Sequence, residues 1–208
     1  MQKSYRNPFL WVPTLYLTEG LPYFIVNTIS IIVLKDLGME NGPLALLTSI
    51  ISLPWMIKPL WSPFVDIFRS KRWWVLTTQF LMVLSVALLA ITLPKSSPFT
   101  LTLILFVITG FASATHDISA DGFYMIAMNE KWQSGMIGVR NTFYRIAMVF
   151  GQGVLVVAAG LLEKRSGDVC HAWTVTLLIA SGFLAVLALY HLLVLPKPEE
   201  DAMQSSKT

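Results

Sequence analysis

Charged residues are scarce in this sequence. Only 13% of the 208 residues are Asp, Glu, Lys or Arg, whereas 55% are hydrophobic. A soluble domain has about a quarter charged residues, so the composition excludes an ordinary soluble protein and an intrinsically disordered chain. The formal net charge of +3 is also too small for a protein that binds nucleic acid through its phosphates. The composition therefore favours a protein that lies in a membrane.

Cysteine is nearly absent as well. The sequence has one, Cys170, which excludes a disulfide framework and a zinc site built from cysteines. We therefore expect the fold to depend on how its apolar segments pack.

Long stretches without charge divide the chain into segments. No residue is charged between Glu40 and Lys58, or between Arg145 and Glu163. Each such stretch is close to or above the ~20 residues that a helix needs to cross a bilayer. We predict an all-α membrane protein whose residues 1–196 form one bundle of six transmembrane helices, at 8–34, 43–66, 73–94, 98–128, 135–162 and 172–196. Residues 197–208 are predicted to form a polar, loosely held tail.

The loops between these helices differ in their content of Lys and Arg. One side of the membrane collects Lys3, Arg6, Arg69, Lys71, Arg72, Lys131, Lys197 and Lys207. The other side collects Lys35, Lys95, Lys164 and Arg165. Because cytoplasmic loops are enriched in basic residues, we expect the first side, with both termini, to be cytoplasmic.

Charge is also distributed unequally among the helices. The predicted third and sixth helices contain no charged residue, whereas the other four do. A charged side chain in a membrane helix is costly, so it faces protein or a water-filled cavity. The order polar, polar, apolar occurs twice. It predicts two inverted three-helix repeats, a transporter arrangement, with the third helix of each repeat as an outer support.

The first predicted helix has a carboxylate close to the middle of the membrane. Glu19 lies about 17 Å along a helix that starts near Pro8, at ~1.5 Å per residue. Gly20 and Pro22 follow, and both weaken a helix. A carboxylate beside a helix break is typical of a proton or substrate site. The alternative is a protonated Glu19 that only packs against a freed backbone carbonyl.

The predicted fourth and fifth helices have the most polar residues. In an antiparallel hairpin, positions equally far from the turn lie at equal depth, which matches Asp121 with Arg140 and Asp117 with Arg145. The two arginines are five residues apart, ~140° around a helix, so we expect only one to pair squarely. The other would reach another helix, a lipid headgroup or a substrate. A structural ion-pair network and direct contact with substrate both remain open.

Two further interpretations concern Lys58 and a possible metal. Lys58 either extends to the membrane interface or faces a cavity as the counter-charge of an anionic substrate. His116, Asp117 and Asp121 could suggest a metal, but we find only two clustered aspartates, with arginines at the same depth. We therefore predict no metal site and no cofactor.

Four motifs resemble those of a known family. They are Glu19-Gly20-Leu21-Pro22-Tyr23; Trp55 to Asp66; Ala114-Thr115-His116-Asp117-Ile118 with Asp121-Gly122; and Gly138-Val139-Arg140 with Tyr144-Arg145. In this order and spacing, the sequence resembles the N-terminal half of a major facilitator superfamily transporter. It is most similar to the AmpG-type permeases of the peptide/acetyl-coenzyme-A transporter group.

The resemblance implies a proton-driven importer in the inner membrane of a bacterium. Its implied substrates are muropeptides, the anhydro-sugar peptides released during cell-wall turnover. Aromatic residues suit sugars, and Arg or Lys suit peptide carboxylates. We expect Glu19 to be the coupling carboxylate. The expected proton or substrate pathway comprises Glu19, Lys58, His116, Asp117, Asp121, Arg140, Tyr144 and Arg145, and the aromatic candidates are Tyr16, Tyr23, Trp55, Tyr124 and Tyr144.

The loop after the second helix departs from the family pattern. That pattern is Gly-x-x-x-Asp followed by a basic residue, but here Ser62 takes the Gly place and Ile67 stands where the base belongs. We expect a cytoplasmic gating latch formed by Asp66 with Arg69, Lys71 and Arg72.

The chain has half the helices of the transporters it resembles. We expect a second six-helix half, supplied by downstream sequence, another chain or a second copy. The other expected partners are a small-molecule substrate and the lipid bilayer, and we expect no enzymatic activity. A truncated, non-transporting interaction module is the alternative, and a membrane phosphotransferase is disfavoured by the small number of clustered carboxylates.

Overall fold

The computed structural model describes residues 6–93 and 98–201, without the side chains of residues 98 and 99. Six helices in these ranges are long and apolar enough to cross a membrane. They are α1 (Pro8–Asp36), α2 (Asn41–Leu60), α3 (Lys71–Thr92), α4 (Pro98–Ile126), α5 (Glu130–Ser166) and α6 (Val169–Val194). The prediction of an all-α protein with six transmembrane helices is confirmed. Three residues of the charge comparison, Lys3, Lys95 and Lys207, lie outside the described residues.

The helix α1 stays helical through the segment where we predicted a break. Pro22 lies within a regular stretch, Val12–Phe24, and the helix then widens into a π-turn at Ile25–Ile29 before it continues as Ser30–Asp36. A π-turn inserts a local irregularity without ending the helix. The expected break beside Glu19 was therefore wrong, because the irregularity begins more than one turn later.

The helix α2 is shorter than predicted. Its α-helical part, Asn41–Ile57, changes into a 3-10 turn at Lys58–Leu60, and a separate short helix follows at Ser62–Ile67. Pro59 has no N–H to donate and fixes its own φ, so the chain tightens there. The single helix expected at 43–66 was wrong for this reason.

Two helix crossings are close at a glycine, α1 on α5 and α4 on α2. A Cβ added to Gly20 of α1 would lie 2.7 Å from the Cβ of Ala147, and one added to Gly110 of α4 would lie 3.2 Å from the Ile51 carbonyl oxygen. Each glycine stands twelve residues after the first residue of a 29-residue helix. The two crossings therefore correspond to each other: α4 takes the place of α1, and α2 takes the place of α5. This correspondence is expected for two three-helix repeats of opposite direction.

The helices α3 and α6 pack against each other, and α3 also packs along α4. Their contacts include buried hydrogen bonds. The Ser181 hydroxyl of α6 donates to the Val83 carbonyl of α3 at 2.9 Å, and the Thr109 hydroxyl of α4 donates to the Ser85 hydroxyl of α3 at 2.8 Å. Hydrogen bonds between helices stabilise packing where no water competes.

The helices α2 and α5 have the least protein cover. Within the most apolar stretch of each helix, 67% of the residues of α1 are buried, but only 17% of those of α2 and 22% of those of α5. Exposed apolar side chains on these two helices include Leu46, Met56, Val149 and Val157. Lipid or another membrane helix has to cover them.

The beginning of the polar tail packs against the start of α3. The buried carboxylate of Asp201 accepts hydrogen bonds from the backbone N–H groups of Lys71, at 2.5 Å, and Arg72, at 3.0 Å. The first N–H groups of a helix have no partner within it, so Asp201 satisfies two of them. The expectation of a loose tail was therefore wrong as far as Asp201.

The close approach at Gly20 gives a stability prediction. Gly20→Ala should lower the stability of the bundle by roughly 1–3 kcal/mol, because the added methyl group overlaps Ala147. Gly160→Ala, on α5, is the matched control, since no atom lies within 4 Å of its added Cβ. The control should be neutral or stabilising by up to ~1 kcal/mol, because Ala is the better helix former. Thermal unfolding in detergent measures both, and equal effects would contradict the packing argument.

Candidate functional site

A cavity of about 230 Å³ opens between α1, α2, α4 and α5. Its walls come from residues that lie far apart in the sequence and that the helix crossings bring together. They are Tyr16, Glu19, Tyr23, Trp55, Ser113, Asp117, Arg140, Asn141 and Tyr144. We call this the central cavity.

Two ion pairs lie at the central cavity. The Lys58 Nζ is 2.5 Å from Asp117 Oδ2, and the Arg140 Nη2 is 2.9 Å from Asp121 Oδ1. The predicted pairing of Asp121 with Arg140 is therefore present. Arg145 does not pair with Asp117, in line with the expectation that only one of the two arginines pairs squarely. Lys58 of the 3-10 turn pairs with Asp117 instead.

Glu19 lies beside these pairs and has no ion pair with another described residue. Its side chain is only 7% exposed, and Oε2 has no hydrogen-bond partner among the described residues. Carboxylate oxygens of Glu19, Asp117 and Asp121 lie within 4.8 Å of one another. The expectation of only two clustered carboxylates was wrong, because Glu19 of α1 is the third. Three acidic groups therefore face two basic ones.

Aromatic rings surround the charges. The Tyr23 ring lies edge-on to Trp55, with centroids 5.1 Å apart, and 6.5 Å from the Tyr144 ring. The Arg140 guanidinium lies 4.5 Å from the centroid of Tyr16 and 5.7 Å from that of Tyr124. Such cation–π contacts fix the guanidinium in position. The Tyr16 hydroxyl donates a 2.9 Å hydrogen bond to Asp121 Oδ1, so the same carboxylate binds both residues.

His116 does not line the central cavity. It is fully buried, with Nε2 3.0 Å from the Gln79 amide nitrogen, while the Gln79 Oε1 is 3.1 Å from His191 Nδ1. The His191 Nε2 lies 2.9 Å from the Thr14 hydroxyl. This buried chain of polar groups connects α4, α3, α6 and α1, so His116 belongs to the scaffold behind the cavity.

Arg145 lies on the opposite side of α5 from α1. Its side chain is exposed and forms no ion pair with any described residue. It lines a separate, shallow groove together with Thr142, Ile146, Val149, Phe150 and Val154.

Sequence reasoning missed four polar residues. Ser113 and Asn141 line the cavity, and Gln79 and His191 form the buried chain. Helical spacing offered a signal for the first two, because Ser113 precedes Asp117 by one turn and Asn141 precedes Tyr144 by three residues. His191 offered another, since it is a histidine in an otherwise apolar segment.

The predicted gating residues lie together where α2 meets α3. The buried Lys71 ammonium pairs with Asp66 and donates to the Val65 carbonyl at 3.3 Å. Lys71 thus supplies the base that the family pattern places at residue 67. Gly122 of α4 makes room for it, because a Cβ there would lie 2.9 Å from Lys71 Cε.

The other two basic residues of this loop have different contacts. Arg69 adopts a left-handed φ of +62° and lies 5.9 Å from the Trp73 ring centroid. Arg72 donates a 2.8 Å hydrogen bond to the Leu192 carbonyl of α6. Both arginines therefore fix the loop against neighbouring helices.

Several known proteins are similar to this chain. The model of the family described as Major Facilitator Superfamily matches residues 10–208. Two curated relatives have the transporter name AmpG 4. The one from Rickettsia conorii is 29% identical over 75% of this chain and 39% of its own length, and the one from Rickettsia felis is 27% identical over 90% and 45%. An uncharacterized protein from Haemophilus influenzae is 23% identical over 91% and 43%.

A solved structure has the same fold. The crystal structure of the Major Facilitator Superfamily transporter FucP, in the outward conformation, aligns with a TM-score of 0.69 and 18% identity, over 94% of this chain and 51% of that one. The chain thus spans about half the length of the proteins it matches. The resemblance predicted from the four motifs is confirmed, and with a family match over nearly all of its length this chain belongs to the Major Facilitator Superfamily.

Proposed function

We propose that this chain is one half of a proton-coupled secondary transporter that imports a solute by alternating access. Family membership and the transporter name of its relatives support a role in transport. Those relatives and the structural neighbour are about twice as long, which supports a second six-helix bundle as the missing wall of the central cavity. The helices α2 and α5, which have the least protein cover, lie next to this missing wall.

The observation that supports proton coupling is the buried Glu19, whose Oε2 has no hydrogen-bond partner within the part of the chain that the structure describes. It lies beside two carboxylates that already have cationic partners. With Glu19 ionised, the cluster has an excess of one negative charge, and with Glu19 protonated the cluster is neutral. An uncompensated charge is costly in a poorly solvated place, so the gain or loss of one proton changes the energy of the whole cavity.

We infer that the loop of Asp66 and Lys71 is the gate on the side of the two termini. The positive-inside rule supports a cytoplasmic location for that side. Among the described residues it has Arg6, Arg69, Lys71, Arg72, Lys131 and Lys197, against Lys35, Lys164 and Arg165 on the other side. Lys71 connects the loop to α4 through the space left by Gly122. Lys71 is therefore in contact both with Asp66 and with the helix that contains Asp117 and Asp121. The AmpG relatives support the inner membrane of a bacterium as the location.

For the substrate, we propose a muropeptide-like cell-wall fragment. The resemblance of the four motifs to AmpG-type permeases supports this class, and the cavity offers aromatic surfaces from Tyr23, Trp55 and Tyr144 for a sugar. Arg140 and Lys58 already bind aspartates, so a substrate carboxylate has to displace Asp121 or Asp117 to reach a cation. Exchange of partners at these pairs is a direct way for substrate binding to alter the charge cluster next to Glu19.

The role of Glu19 is tested by uptake in the assembled transporter. Glu19→Gln should abolish accumulation driven by a proton gradient, because Gln does not take up a proton, while exchange of labelled for unlabelled substrate continues. Glu163→Gln, at the exposed end of α5, should leave both activities intact. Accumulation that survives in Glu19→Gln would show that Glu19 only packs. A correctly assembled protein without any uptake of cell-wall fragments would instead favour an interaction module.

The two ion pairs are tested by double-mutant cycles on unfolding in detergent. Asp121→Asn with Arg140→Gln, and Asp117→Asn with Lys58→Gln, should each show a coupling energy of roughly 0.5–3 kcal/mol, because the members of each pair are in contact. Asp117→Asn with Arg145→Gln is the control and should be additive within about 0.5 kcal/mol. Additivity in both contact pairs would mean that the charges face water separately.

A further inference from the structure

A second cavity lies where four helices have an end on the side of the two termini. Its volume is about 690 Å³, against about 230 Å³ for the central cavity. It opens between the residue before α1, the first turn of α3, the last turn of α4, and the last turn of α6 with the residues that follow it. The ends of membrane helices lie near the edge of the hydrocarbon layer, where the lipid headgroups begin. We call this the terminal cavity.

Three basic side chains line the terminal cavity, and none of them forms an ion pair with a described residue. They are Arg6, Arg72 and Lys197. The Arg6 Nη1 donates a 2.7 Å hydrogen bond to the Leu193 carbonyl, and the Arg72 Nη2 donates a 2.8 Å hydrogen bond to the Leu192 carbonyl. A guanidinium has several N–H donors, so each arginine has further donors besides the one that it uses at the end of α6.

One of these donors, the Arg72 Nε, is buried without an acceptor. It has no hydrogen-bond partner among the described residues, because the nearby Asp201 carboxylate accepts from the backbone N–H groups of Lys71 and Arg72. A buried donor without an acceptor is costly, and such a group often marks the place of a water, an ion or a ligand. Phosphate oxygens suit this place, since arginine binds phosphate through several N–H groups at once.

The terminal cavity also has acidic side chains. Glu199 and Glu200 line it, and both are exposed. Three basic and two acidic side chains fit a ligand with charges of both signs better than a ligand with negative charge alone. A phosphate beside Arg6 and Arg72, together with an ammonium group beside Glu199, complements both sets of charges.

The apolar part of the terminal cavity continues along the surface of α6. Leu193, which lines the cavity, is 75% exposed, and Leu189 and Val186 are 55% and 64% exposed. Residues at this spacing lie on one side of a helix, and here they lead from the cavity towards the middle of the bilayer. An acyl chain attached to the bound phosphate would lie against them. The surroundings therefore favour a lipid over a soluble phosphate compound.

We propose that the terminal cavity binds the headgroup of a phospholipid that has a primary amine, the phosphatidylethanolamine class. Arg6 and Arg72 bind its phosphate, with Lys197 as a further positive charge, and Glu199 binds its ammonium group. One acyl chain lies along α6. Basic pockets between membrane helices on the cytoplasmic side are a known setting for lipid headgroups. The proposal requires neither transport nor a second six-helix bundle.

Lipid binding to the purified chain in detergent tests the proposal. Phosphatidylethanolamine, phosphatidylcholine and phosphatidylglycerol with the same short acyl chains are titrated separately, and native mass spectrometry counts the bound lipid. One phosphatidylethanolamine should bind about tenfold more tightly than phosphatidylcholine, because a quaternary ammonium donates no hydrogen bond to Glu199. It should also bind more tightly than phosphatidylglycerol, which has no ammonium group.

Variants of the chain assign the contacts. Arg6→Gln and Arg72→Gln should each weaken phosphatidylethanolamine and phosphatidylcholine alike, by about tenfold, because both lipids have the same phosphate. Glu199→Gln should bind these two lipids equally. Arg165→Gln and Glu163→Gln, which change exposed residues at the other end of α5, are the controls and should bind like the unmodified chain. Arg6 and Glu199 are exposed, so their variants keep the test valid if Arg72→Gln does not fold.

Three results would overturn the proposal. The first is binding that is unchanged in both Arg6→Gln and Arg72→Gln. The second is a preference for phosphatidylethanolamine that survives in Glu199→Gln, or tighter binding of phosphatidylglycerol by the unmodified chain. The third concerns glycerophosphoethanolamine, which is the same headgroup without acyl chains and should not displace the lipid at equal concentration. Its displacement of the lipid would assign the terminal cavity to a soluble phosphate compound.

Discussion

Charge balance inside the membrane is the constraint on which the rest of this structure depends. Two lysine or arginine side chains and three carboxylates converge from four helices, in a place where an unpaired charge is costly. Lys58 and Arg140 each compensate the charge of one aspartate, and neither pairs with Glu19. The proposed coupling mechanism depends on Glu19, because the cluster is neutral when Glu19 has a proton and negatively charged when it does not.

The packing of the helices explains how the charged residues of the central cavity are held at matching depths. Gly20 and Gly110 bring α1 onto α5 and α4 onto α2 at backbone distance, which fixes the depth of Glu19 against Arg140 and of Asp117 against Lys58. Behind the cavity, the buried chain from Thr14 through His191 and Gln79 to His116 connects α3 and α6 to α1 and α4. The apolar helices α3 and α6 are therefore more than passive supports, because their polar residues bond to side chains of α4 and α1.

The sequence predicts the helices and most cavity residues, because the position of a charge along a helix follows from counting. Depth alone correctly matched Asp121 with Arg140. Depth did not identify the partner of Asp117, because it gives no information about the direction in which a side chain leaves α5. It also gives no information about the 3-10 turn that brings Lys58 to α4. The same limit explains Lys71, which replaces the base missing at Ile67 from four residues further along the chain. Neutral partners such as Gln79 were not predicted, because the positions of charged residues give no information about them.

The central claim is that Glu19 holds the one proton that balances this cluster. Infrared spectroscopy of the purified chain at neutral pH tests it most directly, because the carbonyl stretch of a protonated carboxylic acid is resolved from that of a carboxylate. The account predicts a carboxylic acid band that disappears in Glu19→Gln and persists in Glu163→Gln. A spectrum without that band, or a band unchanged in Glu19→Gln, would contradict it.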